Sequence, residues 1–333
     1  MELQEAVDEA VDRTGFSGVV RVDRAGTTEL AAAYGLADRA HRIPHSLDTQ
    51  LGIASGTKSL TALTVMGLVE RGALALDTTA RSLLGDDLPL VADDVAIGHL
   101  LAHRSGIGDY LEEDAIESIS DYVMPVPVHQ LATTEQYLSV LDGHATVFRA
   151  GERFAYNNGG YVLLALLAER SSGTDFHRLV RELVCEPAGM VDSAFLRSDE
   201  LPGRAALGYL ERDGLRTNVL HLPVVGSGDG GLYSTAADLS AFWDSLFAGR
   251  IVSPDLVAEM VRPHSDWPEE SERYGLGFHL HATSDAVWLE GADAGVSFVS
   301  LHQPSAALTW TVLSNWSSGA WPITSLLHAR LSS

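Results

Sequence analysis

Strand-like runs at both ends of the chain, with helical patterning between them, constrain the fold most. Gly18–Arg24 and residues 28–34 alternate apolar and polar side chains around the turn Ala25-Gly26, the pattern of a hairpin. Near the other end, residues 276–281, 287–289, 296–302 and 308–314 are short runs rich in Val, Phe, Trp and Leu, followed by an expected helix over 323–331. Helical signals fill the middle at 58–71, 97–102, 135–141, 160–170, 175–185 and 236–248. One antiparallel sheet built from the two chain ends, flanked by helices and interrupted by an inserted helical domain, accommodates this order. The expected class is α/β plus all-α, with residues 1–75 and 228–333 in a discontinuous sheet domain and 76–227 in a mainly helical one.

The chain carries 45 acidic and 22 basic residues, a formal charge of −23. Such a surface repels phosphate backbones and anionic lipid, so neither nucleic acid nor a membrane is expected as a partner. The first thirteen residues are acidic and amphipathic, unlike a secretory signal, and no apolar run approaches the ~18 residues of a membrane span. A cytoplasmic location is the expectation. The one cysteine, Cys185, leaves no internal disulfide and no thiolate metal cluster, and no cofactor is expected.

Of the 22 basic residues only Lys58 is a lysine. Burial and charged neighbours can bring an ammonium from its reference pKa of about 10.4 toward neutrality, whereas arginine stays charged. A solitary lysine is therefore a candidate for proton chemistry. Ser55 lies three residues before it, at the start of a mostly apolar helical stretch, so the two share one face, with Ser55 where backbone N–H groups are unpaired and the helix dipole is positive. Nucleophile, base and oxyanion donors meet in that arrangement. A second constellation, Tyr156-x-Asn158, precedes another apolar helix. A phenol beside a cationic lysine can serve as general base, and an asparagine amide can bond both the lysine and a substrate carbonyl.

Together the two motifs resemble those of the serine β-lactamase and penicillin-binding-protein superfamily. The likeness is closest to its class C-like branch of esterases, D-aminopeptidases and D,D-carboxypeptidases, where Tyr-x-Asn replaces Ser-x-Asn. Residues 70–77, 100–107, 186–190, 230–238 and 274–277 resemble further segments of that branch, so the likeness spans roughly residues 15 to 330. It implies catalytic roles for Ser55, Lys58, Tyr156 and Asn158. The superfamily's third motif, Lys-Thr-Gly or His-x-Gly on a strand lining the site, is matched here by residues 288–295. With Gly291 as the motif glycine, Leu289 takes the basic position and Glu290 the middle one. Backbone N–H groups of Ser55 and Ala292 would hold the oxyanion. Leu289, Glu290, Gly291 and Asp293 would contact substrate, as would Tyr110 in the 108–127 loop. A site of this composition offers a substrate carboxylate no cation, so penicillin hydrolysis is disfavoured.

Other patterns carry less. Gly226-x-Gly-x-x-Gly231 lacks a surrounding βαβ unit, the pairs His99/His103 and His279/His281 lack a third ligand, and no Gly-x-Ser-x-Gly elbow occurs. The expectation is a serine hydrolase cleaving a small-molecule ester or amide through an acyl-enzyme on Ser55. A biosynthetic acyltransferase using the same intermediate is an alternative, as is a catalytically dead binding protein. The sequence leaves the oligomeric state open.

Overall fold

A computed structural model describes residues 2–111, 118–267, 270 and 272–331. Thirteen strands follow in chain order: β1 (Gly18–Arg24), β2 (Thr27–Tyr34), β3 (Leu36–Asp38), β4 (Ile43–Pro44), β5 (Leu51–Gly52), β6 (Ala194–Phe195), β7 (Leu232–Ser234), β8 (Ser265–Trp267), β9 (Glu272–Tyr274), β10 (His279–His281), β11 (Val287–Asp293), β12 (Val296–Gln303) and β13 (Leu308–Ser314). Eight of them form one sheet in the order β2-β1-β13-β12-β11-β10-β9-β8. Every neighbouring pair is antiparallel, and Gly18 of β1 sits opposite Ser314 of β13, so the two chain ends do meet in one sheet.

Period-two alternation sends the sheet's side chains into two apolar layers. On one face Val20, Val22, Trp310 and Val312 pack with Val7 and Ala10 of helix Leu3–Thr14 and with Ile323 and Leu327 of helix Trp321–Leu331. On the other, Val19, Leu289, Phe298 and Leu313 join the larger core around helix Thr57–Glu70. That helix is buried continuously from Thr57 to Leu68, as its nearly uninterrupted apolar sequence requires. Its hydroxyls are satisfied inside the protein: Thr61 donates to the Gly228 carbonyl at 2.7 Å and Thr64 to the Leu60 carbonyl at 2.8 Å. Full burial of each Leu or Val here contributes about 1.5–3 kcal/mol.

The structure corrects several expected boundaries. The strand expected over 276–281 shortens to β10, because Gly277 takes φ +88° and a Cβ there would lie 2.3 Å from that of Ala62. Strands β8 and β9 were not expected, their short polar sequences Ser-Asp-Trp and Glu-Arg-Tyr showing no apolar alternation. The helix expected over 175–185 runs as α only over Phe176–Val180 and continues as a wider π turn over Arg181–Cys185. The 135–141 helix begins as a 3₁₀ turn, Thr134–Tyr137, before Leu138–Leu141. Among the described residues no helix is long and apolar enough to cross a membrane. Residues 112–117 of the expected pocket loop lie outside the described residues.

Candidate active site

Ser55 occupies a tight turn, Ala54–Gly56, directly before helix Thr57–Glu70. Ala54 takes φ +42°, a left-handed conformation disfavoured for a residue with a side chain. Such strain persists only where the surroundings enforce it. Here Ile53 is fully buried and its N–H donates to the Leu232 carbonyl at 3.0 Å. From the sheet side, a Cβ on Gly291 would stand 2.4 Å from the Ile53 carbonyl oxygen and 2.8 Å from the Ser55 nitrogen, and one on Gly56 would stand 2.4 Å from the Phe298 ring. Glycine at 291 is what lets β11 press against the Ser55 turn. Gly291→Ala is expected to lower the rate of Ser55 acylation by about 10²-fold, the scale of a misplacement near 1 Å. The rate of covalent labelling by a fluorophosphonate measures this, and an unchanged rate would remove Gly291 from the account.

Lys58 is 2% exposed, and its Nζ has three oxygen neighbours: Ser55 Oγ at 2.8 Å, Asn158 Oδ1 at 2.7 Å and the Asp229 carbonyl at 2.8 Å. The chemistry of those three atoms is unequal. The amide and carbonyl oxygens can only accept, whereas the serine hydroxyl can also donate. When Lys58 is a neutral amine, its two N–H bonds satisfy Asn158 and Asp229, and its lone pair is left facing the Ser55 hydroxyl. That is the geometry of a base positioned on a nucleophile.

Two consecutive residues fasten both of the lysine's other acceptors. The Asp109 carboxylate accepts the backbone N–H of Asn158 at 2.6 Å and of Gly159 at 2.9 Å, closing the start of helix Asn158–Ser172. Tyr110 donates its hydroxyl to the carboxylate of Asp229. Burial pushes the Asp109 carboxyl up to about 6, against the opposing pull of the Gly159, Asn158 and Leu111 amides. Sequence reasoning singled out Tyr110 but missed Asp109 and Asp229. The adjacency of Asp109 to the 100–107 segment was the available signal.

Tyr156 stacks on Trp267 with ring centroids 5.9 Å apart and lies 4.4 Å from the ring of His103, and the Lys58 Nζ stands 5.0 Å from its centroid. His103 is 1% exposed, accepts the Asn157 N–H at 3.1 Å and also packs against Tyr161 and Tyr274. Its surroundings are aromatic, and burial, followed by the nearby Lys58 and His279, keeps its pKa well below the ordinary imidazole value. Among the described residues no group of three or more His, Cys, Asp or Glu is arranged to hold a metal ion.

Strand β11 divides its expected site residues between two environments. Ser55, Glu290, Gly291 and Ala292 line a wide cavity of about 790 Å³ together with Phe148, Phe154 and Trp267. Ala292 and Asp293 also border a narrow cavity of about 70 Å³ that reaches Ser55 and Tyr110. Leu289 does neither: it is 1% exposed and packs in the core, which corrects its expected place in the cleft. It shares the strand face of Gly291, so its side chain lies against the buried helix. Strand β10 pairs with β11 only at Val287 and Trp288, and among the described residues no strand covers that edge from Leu289 onward. Burial pushes the Glu290 carboxyl up, His279 opposes this, and Trp288 donates to it at 3.3 Å. Arg153, stacked 4.3 Å over the Phe148 ring, and His279 are the basic side chains among the described residues lining the wide cavity.

A serine, a buried lysine, a tyrosine and an asparagine gathered between an antiparallel sheet and a helical layer define the class of serine β-lactamases and penicillin-binding proteins. The family model described as Beta-lactamase matches residues 3–331, and the chain belongs to that family. Its fold is similar to the crystal structure of a penicillin-binding protein from Bacillus halodurans, with a TM-score of 0.91 and 33% identity, covering 97% of this chain and 99% of that one. Among curated proteins it is 30% identical to esterase EstB of Burkholderia gladioli over 85% of this chain and 79% of the relative. It is 24% identical to the putative penicillin-binding protein PbpX of Bacillus subtilis over 84% of this chain, spanning 66% of that protein's length.

Proposed function

We propose that this chain is a serine hydrolase that cleaves a small ester or amide through an acyl-enzyme on Ser55. The observation that carries the reading is the set of three oxygens around Lys58, of which only Ser55 Oγ can return a proton. In acylation Ser55 Oγ bonds to the carbonyl carbon while Lys58 Nζ takes the hydroxyl proton. Lys58 and Tyr156 pass that proton to the leaving oxygen or nitrogen as its bond to carbon breaks. The developing oxyanion is held by the N–H groups of Ser55 and Ala292, both of which border the two cavities. Water then attacks the ester carbon with Tyr156 as base, releasing the acid and restoring the Ser55 hydroxyl.

The third-motif strand directs substrate choice. Glu290 borders the wide cavity and Asp293 the narrow one, both cavities reaching Ser55, so a substrate carboxylate on that side meets like charge. Neutral substrates are expected to outperform matched ones ending in a carboxylate. Labelling of Ser55 by a fluorophosphonate, followed by kcat/KM on p-nitrophenyl esters and on D- and L-aminoacyl anilides in carboxylate and amide pairs, tests both parts. An unlabelled Ser55 would sink the hydrolase. A preference for the carboxylate members, or brisk hydrolysis of benzylpenicillin, would show that Arg153 or another cation serves as the anchor.

A further inference from the structure

The residues on either side of Tyr156 are both tied to one histidine. The N–H of Ala155 donates to the His103 carbonyl at 2.9 Å, and that of Asn157 donates to His103 Nδ1 at 3.1 Å. These two bonds bracket Tyr156, whose ring also lies 4.4 Å from that of His103. His99, four residues earlier, is engaged elsewhere: its Nδ1 accepts the N–H of Ala96 at 3.2 Å.

The tautomer of His103 follows from this geometry. A backbone N–H can only donate, so Nδ1 is the unprotonated nitrogen and the neutral ring carries its proton on Nε2. The ring packs among Tyr156, Tyr161, Tyr274 and Phe154, and Nε2, itself buried, meets no hydrogen-bond partner among the described residues. An unpaired buried donor is unfavourable, and His103 also holds φ +53°, a left-handed conformation. Phenylalanine would fill this space without the stranded N–H; what it lacks is the Nδ1 acceptor. Burial, followed by Lys58 and His279, disfavours the charged ring, so Nδ1 stays an acceptor.

The fastenings are divided. Asp109 takes the N–H groups of Asn158 and Gly159, after the tyrosine, whereas His103 takes those of Ala155 and Asn157, around it. Asn158, and through it Lys58, therefore has an anchor independent of His103.

We propose that His103 is a positioning residue for Tyr156, its carbonyl and Nδ1 fixing the backbone on both sides of the tyrosine and its ring backing the phenol. This rests on the serine-hydrolase reading and deepens it: proton transfer by Tyr156 depends on His103, whereas activation of Ser55 by Lys58 does not.

The test has a catalytic arm and a spectroscopic arm. The leaving group of p-nitrophenyl acetate departs without a proton, so acylation calls on Lys58 and deacylation on Tyr156. In His103→Phe, kcat is expected to fall about 10–10²-fold, the scale of a misplacement of up to 1 Å, behind a stoichiometric burst showing that deacylation limits. His103→Asn offers Oδ1 where Nδ1 stood and tolerates the left-handed backbone, so it is expected to recover most of that loss. In a Tyr156→Phe background, His103→Phe is expected to add less than about twofold, because a residue acting through another is not additive with it. Full additivity, or equal losses of kcat and of fluorophosphonate labelling, overturns the proposal. Should His103→Phe fail to fold, His103→Gly, which adopts positive φ freely and also lacks the acceptor, takes its place.

In the second arm, tyrosine labelled with carbon-13 at Cζ is followed by NMR, the Tyr156 signal being identified by its loss in Tyr156→Phe. It is expected to move in His103→Phe and to return in His103→Asn, and a signal that ignores both substitutions overturns the proposal. Should wild-type Ser55 neither label nor turn over while the signal follows His103, the hydrolase fails and the positioning stands. Turnover with an additive cycle and an unmoved signal leaves the hydrolase standing and overturns the positioning.

Discussion

Ser55→Ala is expected to abolish both turnover and fluorophosphonate labelling while leaving thermal unfolding close to that of the wild type. The side chain lost is small, and its hydroxyl meets Lys58, which keeps Asn158 Oδ1 and the Asp229 carbonyl. Residual chemistry from the oxyanion donors alone would sit far below the wild-type rate, because no covalent intermediate can form. Labelling that persists in the variant would assign the nucleophile elsewhere and end the acyl-enzyme account.

Lys58→Arg carries the second-largest expected effect, a loss of roughly 10²–10⁴-fold in kcat, the range of general acid–base catalysis. Arginine keeps the positive charge but cannot give up its proton in the physiological range, and its planar fork cannot direct a lone pair at Ser55. It is also bulkier than the 2%-exposed space around Lys58 provides for, so unfolding is monitored beside activity. The discriminating measurement is the pH dependence of acylation at constant fold. Near-normal kcat in a folded Lys58→Arg protein would reduce the lysine to a fixed charge.

The parts of the site legible in the sequence are those set by local geometry. A three-residue spacing at a helix start puts Ser55 and Lys58 on one face in any protein, and here their side chains meet at 2.8 Å. The Tyr156-x-Asn158 triplet could be recognised, but its approach to Lys58 depends on Asp109 seizing two amides of the following helix, a contact between loops with no periodic signature. Leu289 went to the wrong side because the motif match fixes which residue is the glycine, not what the strand face that Leu289 shares with it packs against. On that face Leu289 stands beside Gly291, whose near side is closed by the Ile53 carbonyl and the Ser55 nitrogen, so it enters the core. Strands β8 and β9 escaped notice for a related reason: three-residue edge strands are defined by the partner they lie beside, not by their own composition.

The pairing of Gly18 with Ser314 has a consequence for how the molecule comes into being. At the ~5–20 residues per second of ribosomal synthesis, the first hairpin waits on the order of tens of seconds for the strand it must join. During that interval β1 and β2 form a ribbon whose β1 edge lacks its partner, and the apolar residues Val20 and Val22 have neither the Trp310 strand nor the Trp321–Leu331 helix against them. Most of the helical layer can condense earlier, yet Gly291 and Ala292 arrive late. Nascent chains should therefore be inert and sticky until β13 has been made, and activity becomes a report on the closing of this sheet.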